Sequence, residues 1–155
     1  MHIELWVIGS TSEDYLKEGI GIFDKRINRY VPFKMEEIAG PRKWKDAEDL
    51  KRQEARLIES RLLPGDRLIL LDERGKEQDS RGFSQWMQKQ MNTGPKRMIF
   101  VVGGAYGFSS DIRERADAKI SLSKMTFSHQ MVRLFFVEQL YRAFSILNNE
   151  PYHND

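Results

Sequence analysis

The run RMIFVVGG, Arg97 to Gly104, is apolar at every position from Met98 to Val102 and closes on two glycines. A strand with one wet face alternates apolar and polar residues; an unbroken, branched run of this length has to be covered on both faces. IELWVIG (Ile3 to Gly9) and RLILLD (Arg67 to Asp72) have the same mostly apolar character, and weaker strand patterns stand at FKMEEIA and KISLS. Helical patterns separate them. The spacing predicts helices from about Ser12 to Tyr30, led by TSED and ended by Pro32, and from about Asp46 to Leu63, with Leu50, Leu57, Ile58 and Leu62 on one stripe and PGD as terminator. SRGFSQWMQKQM, the short SSDIRERADA and a last helix from about His129 to Asn148 complete the series. Strands separated by helices need crossover connections, so the expected fold is α/β, a mainly parallel sheet with helices on both faces. At 155 residues, positions 1–155 form a single domain.

Several classes of function are excluded or disfavoured by composition. The chain has no cysteine, which removes disulfides, thiolate metal sites and a cysteine nucleophile, and fits a reducing, cytoplasmic setting. The N-terminus MHIELWVIGS lacks a basic leader region, and the most apolar helix carries Arg133, Glu138 and Arg142, so no membrane association is expected. His2, His129 and His153 have no helical ligand spacing, and no metal is expected. A net charge of +2 does not by itself announce a nucleic-acid partner. The loop GPRKWK, Gly40 to Lys45, is the sharpest basic feature, with two readings: a solvated turn, or cations that meet phosphates beside a tryptophan that stacks on a base.

Ligands of parallel sheets sit beyond the carboxyl ends of the strands, which directs attention to the loops after strands three, four and five. LLDERGK reads as a β-to-helix turn. VVGGAYGFSS places Gly103, Gly104 and Gly107 directly after a buried strand, as turn formers or as a cradle where backbone approaches a ligand; it is neither a dinucleotide fingerprint nor a phosphate loop. Leu122 to Phe127 forms a loop rich in backbone donors and acceptors. His129 is either a cap or first-turn residue of the last helix or a base. That helix carries a stripe of Val132, Phe136, Leu140, Phe144 and Leu147, and further apolar residues Leu134, Phe135, Val137, Tyr141 and Ile146, more than one sheet face covers, which suggests a partner subunit. Tyr152 and His153 stand in the tail NNEPYHND, where an inert end is the default.

FVVGGAYGFS, LSKMTFSHQMVRLFFVEQLYRAFSI and EPYH, in that order, resemble the bacterial large-subunit rRNA pseudouridine N3-methyltransferases of the SPOUT class, and the similarity runs from the VIG of the first strand to the terminal PYH. The resemblance implies a homodimer whose C-terminal part is tied in a deep trefoil knot, and a methyl transfer from S-adenosylmethionine to N3 of a pseudouridine in 23S rRNA within the ribosome. Matched residue by residue, it implies cofactor contacts at Leu71, Gly103 and the run Leu122, Ser123, Lys124, Met125, Thr126, Phe127, with Gly104 beside them in the same glycine loop. His129, Arg133, Tyr152 and His153 are the implied catalytic group: the two histidines as proton acceptors, Tyr152 against the flipped base, and Arg133 either on a substrate oxygen or in a salt bridge. Two departures stand out. Ser128 occupies a position where many members have proline, and Asn154 and Asp155 end a tail that in relatives often turns basic. The rival readings are a nucleotide-binding regulatory module without chemistry and, less well supported, a metal-dependent hydrolase.

Overall fold

The computed structural model of the chain describes residues 1–154; the expectation attached to Asp155 lies outside the described residues. The elements follow one another as β1 (His2–Ile8), α1 (Asp14–Ile27), β2 (Phe33–Ile38), α2 (Ala47–Glu59), β3 (Asp66–Glu77), α3 (Ser80–Asn92), β4 (Arg97–Val102), α4 (Ser110–Arg115), β5 (Ala118–Ser121) and α5 (Met131–Leu147). The strands form one sheet in the order β2-β1-β4-β3-β5, and every pairing is parallel. Side-chain alternation along each strand sorts the core into two layers. Leu5, Ile69 and Phe100 face a core shared with α1, α3 and α5, while Trp6, Leu68, Leu70 and Ile99 face one shared with α2 and α4. Both faces are therefore sealed, which is why β1 and β4 read as continuous apolar runs.

Three local expectations are corrected. β3 does not end at Asp72 but runs to Glu77: it pairs with β5 at Leu71↔Ile120, leaves the ladder, and re-pairs at Lys76↔Ile120. Asp72 to Gly75 thus form an excursion inside a strand, not a turn into a helix. The strand closes up again at Gly75, where a Cβ would lie 2.7 Å from the backbone of Ile120, so only glycine fits. The hydroxyls of TSED do not cap α1, which starts at Asp14 with no side-chain cap; Ser12 donates its N–H to Gln130 instead, and Thr11 is buried. His129 is neither cap nor first-turn residue of α5. Ser128 takes the capping role, its hydroxyl accepting from Met131 N at 3.0 Å and its carbonyl from Val132 N.

α5 packs against both α1 and α3, and one side chain fixes its start to the carboxyl end of β1. Arg133 has no exposed surface. Its guanidinium donates to the carbonyls of Ile8, Gly9 and His129 and to the Thr11 hydroxyl at 2.9–3.1 Å, and lies 3.8 Å from a Glu37 carboxylate. Burial draws the Arg133 pKa below its usual value, and the Glu37 charge works the other way; an arginine so placed remains a cation. Sequence reasoning left Arg133 open to a substrate oxygen or a salt bridge; the structure buries it, with four donor contacts to His129, Thr11 and the end of β1 and with Glu37 nearby. Arg133→Met should leave those carbonyls unpartnered and lower unfolding free energy by about 3 kcal/mol in urea titration. Wild-type stability with lost activity would instead return Arg133 to a substrate-facing role.

Candidate functional site

Because all five strands run the same way, the loops that follow them emerge at one end of the sheet. Two of them, with the β3 excursion at the same end, enclose a cleft of about 470 Å³, within the range of small-molecule sites. The β3 excursion contributes Leu71 to Arg74, the segment after β4 contributes Val102 to Phe108, and the segment after β5 contributes Leu122, Ser123 and Met125 to His129. These are the loops singled out by sequence. Leu71, Gly103, Gly104, Leu122, Ser123, Met125, Thr126, Phe127 and His129 all line the cleft. Lys124 does not; its exposed ammonium lies 3.7 Å from Glu77. Sequence reasoning passed over Asp72, Glu73, Arg74 and Arg113, which also line it, because their charges read as part of ordinary surface turns.

The loops are tied to one another. Thr126 donates its hydroxyl to Glu73 at 2.9 Å, joining the β3 excursion to the loop after β5, and Ser121 and Ser123 brace that second loop internally through Ser123 O and Met125 N. Phe127 packs on Phe135 of α5 at 4.8 Å between ring centres. The glycines are explained first by the chain itself. Gly107 has φ +80 and donates to Gly104 O in a tight turn, and a Cβ on Gly103 would press on the Phe108 ring at 3.3 Å. The result is nevertheless a stretch of wall that carries no side chains at Gly103, Gly104 and Gly107.

Charge in the cleft is unevenly satisfied. Asp72 is buried, and its Oδ1 accepts from Arg74 N. Arg113 Nε stands 3.1 Å from Asp72 Oδ2, an ion-pair distance, but the N–H is not aimed along that line and neither atom makes a hydrogen bond. The two side chains thus form an ion pair in the wall whose facing atoms, Asp72 Oδ2 and Arg113 Nε, are buried and lack a well-aligned hydrogen bond. Among the described residues no group of His, Cys, Asp and Glu is arranged to hold a metal ion, and no helix is long and apolar enough to cross a membrane.

Tyr152 and His153 are not brought to this cleft within one chain. They fold back on α5: Tyr152 donates to Glu138 at 3.0 Å, meets Tyr141 edge-on at 4.7 Å, and lies under the Arg142 guanidinium. Burial, then Glu138, raises the Tyr152 pKa. Arg142 Nη1 is 3.1 Å from His153 Nδ1; since a guanidinium only donates, that nitrogen is the acceptor. The tail expected to be inert is held in place.

The basic loop after β2 is equally well defined. Arg42, Lys43, Trp44 and Lys45 are all exposed, while Gln53 donates to Lys43 O and Lys45 N to Asp49, fixing the loop to the first turns of α2. None of the three cations has an ion pair among the described residues.

Comparison with known proteins agrees with this arrangement. Residues 1–153 match the family model described as "Predicted SPOUT methyltransferase". A protein of Parabacteroides distasonis named ribosomal RNA large subunit methyltransferase H is 52% identical over 157 residues, covering 100% of both chains. Relatives of the same name from Christiangramia forsetii, 54% identical over 99% of each chain, and Cytophaga hutchinsonii, 52% identical over 99% of this chain and 100% of its own, are similarly close.

Proposed function

The chain belongs to the SPOUT methyltransferase family, and from that premise we propose that it transfers a methyl group from S-adenosylmethionine to N3 of a pseudouridine in 23S rRNA of the large ribosomal subunit. The observation that carries the reading is the convergence of the β3 excursion and the loops after β4 and β5 on one cleft. The residues present fit the cofactor: the volume is that of a small-molecule site, glycines form part of the wall, and the lining sets the carboxylates of Asp72 and Glu73 beside apolar Leu71, Leu122 and Phe127. Leu71, Gly103, Gly104 and the run 122–127 would hold it, with Lys124 contributing backbone. When bound, S-adenosylmethionine supplies a methyl group on a positively charged sulfur, so the protein's share of the work is alignment and proton removal.

The nucleophilic nitrogen carries an imide proton, and a neutral imidazole within reach is suited to take it. His129 stands at the cleft rim, on the turn set by Ser128. Tyr152 and His153 act from a second copy of the chain: in their own chain they lie apart from the cleft, held on α5. Support for a homodimer comes from Tyr15, Ile22 and Phe135, large apolar side chains left exposed on α1 and α5. The family's trefoil knot is consistent with a chain that reaches the sheet edge at β5 and then returns to pack α5 between α1 and α3. Ribosomal RNA meets the basic loop as well. The carboxyl end of β2 opens on the same side as the cleft, two strand spacings or roughly 10 Å from β4, so the cations beside Trp44 can grip phosphates while the target base enters. The setting is cytoplasmic, where ribosomes are.

His129→Ala should keep S-adenosylmethionine affinity in calorimetry while cutting methyl incorporation into unmodified ribosomes by roughly 10²–10⁴. Mixing His129→Ala and His153→Ala chains should restore part of the activity, since one site of a mixed dimer is whole; no recovery would place the tail's action within its own chain. Replacing Arg42, Lys43 and Lys45 by alanine should weaken ribosome binding and reduce its salt slope by about 2–3. Unchanged binding would make that loop a solvated turn.

A further inference from the structure

The glycine loop of the cleft rests on a carboxyl group that belongs to the opposite helical layer. Glu54 lies on α2 beside Ala55, one turn before Ile58, and is 6% exposed. Its side chain enters a crevice lined by Ile8, Gly103, Gly104, Phe108 and Ile112 that has no room for a water molecule. A Cβ on Gly104 would stand 2.3 Å from Glu54 Oε2 and 2.8 Å from Oε1, so the loop backbone lies directly against the carboxyl and tolerates no side chain there. Oε1 has no hydrogen-bond partner.

This placement selects the protonation state. β1 presents Ile8 to the crevice, the end of β4 and its loop present glycines, Phe108 and Ser109, and α4 presents Ile112, none of them titratable. The one cation lining it, Lys51, comes from α2 itself and lies 2.6 Å from Glu48. Burial without a counter-charge pushes the Glu54 carboxyl up to about 7. A neutral carboxyl is tolerated in a dry, apolar crevice. An ionised one is disfavoured there.

We propose that Glu54 is a positioning residue of the methyl-donor cleft, its carboxyl acting through contact with Gly104 as the support that fixes the glycine loop over the end of β4. The inference rests on the reading of that cleft as the S-adenosylmethionine site, while the contact itself does not.

The test is a mutant cycle with a ligand-free readout. Gly104→Ala should lower the melting temperature and weaken S-adenosylmethionine binding at least about tenfold, because the new methyl group and the carboxyl compete for one space. Adding Glu54→Ala clears that space, so the double variant should be no worse than Glu54→Ala alone; additive losses would overturn the proposal. Glu54→Gln keeps the size and removes the proton. For a group whose folded pKa is raised, stability is fully present below the ordinary carboxylate range and is lost as pH rises through about 7. Wild-type melting temperature and amide protection at residues 103–108 should therefore fall, relative to Glu54→Gln, as pH rises from the ordinary carboxylate range through about 7. Superimposable profiles would overturn the support role. A wild-type protein that binds no S-adenosylmethionine would sink the cleft's assignment and leave the ligand-free cycle to decide the contact.

Discussion

A parallel sheet sends the carboxyl ends of all its strands to one side, and everything proposed for this molecule follows from that constraint. Parallel order forces crossover helices, the crossovers cover both faces, and the covered faces make the strands apolar. What remains for solvent and ligand is the rim. The two rims differ in how their charges are settled. At the amino end Arg97 binds Asp66 in a two-pronged contact at 2.6 and 2.8 Å and Glu4 at 3.1 Å, and Trp6 and His2 complete the Glu4 partners. Burial alone would raise both carboxyls; the donors around Glu4 and the Arg97 contacts at Asp66 outweigh it, so both lie below the usual carboxylate range. That network holds the sheet together. At the carboxyl end, Asp72, Arg113 and Glu54 each keep a buried atom without a hydrogen-bond partner. Among the described residues, incomplete satisfaction is thus gathered at the rim that carries the cleft.

α5 joins the site to the rest of the fold. Ser128 precedes its first turn and Arg133 lies within it, and through Arg133 the start of the helix is hung on the last carbonyls of β1. The position of His129 is therefore set from two directions: by the hydroxyl next to it in sequence, and by a guanidinium one turn later that also takes its carbonyl. Ser128 in place of proline does not leave the turn loose, because a hydroxyl cap substitutes a hydrogen bond for a fixed φ.

Sequence reasoning reached the fold and the three loops because both are written in local pattern. Unbroken apolar runs report burial on two faces, and glycines after a strand report a crowded turn. It failed where a residue's partner is distant. Thr11 and Ser12 have the composition of a helix cap, yet Thr11 receives Arg133 and Ser12 binds Gln130, contacts that no short window of sequence displays. LLDERGK has the composition of a turn, yet the strand resumes because β5 offers Ile120 on both sides of the excursion. Glu54 was one more charge on a charged helix. The available signal was weak: Glu54 falls within a turn of Leu50, Leu57 and Ile58, and a carboxylate beside an apolar stripe asks what neutralises it.

That question also explains why the glycine loop needs two layers to define it. Seen from the cleft, Gly103 and Gly107 are accounted for by the Phe108 ring and by a tight turn, and neither demands a ligand. Gly104 is different, because the atom that forbids its side chain belongs to α2, across the sheet from α5, the helix that follows His129. Glu54 thus links the glycine loop of the cleft to the α2 layer: its carboxyl lies against Gly104, and burial without a counter-charge favours its neutral form there.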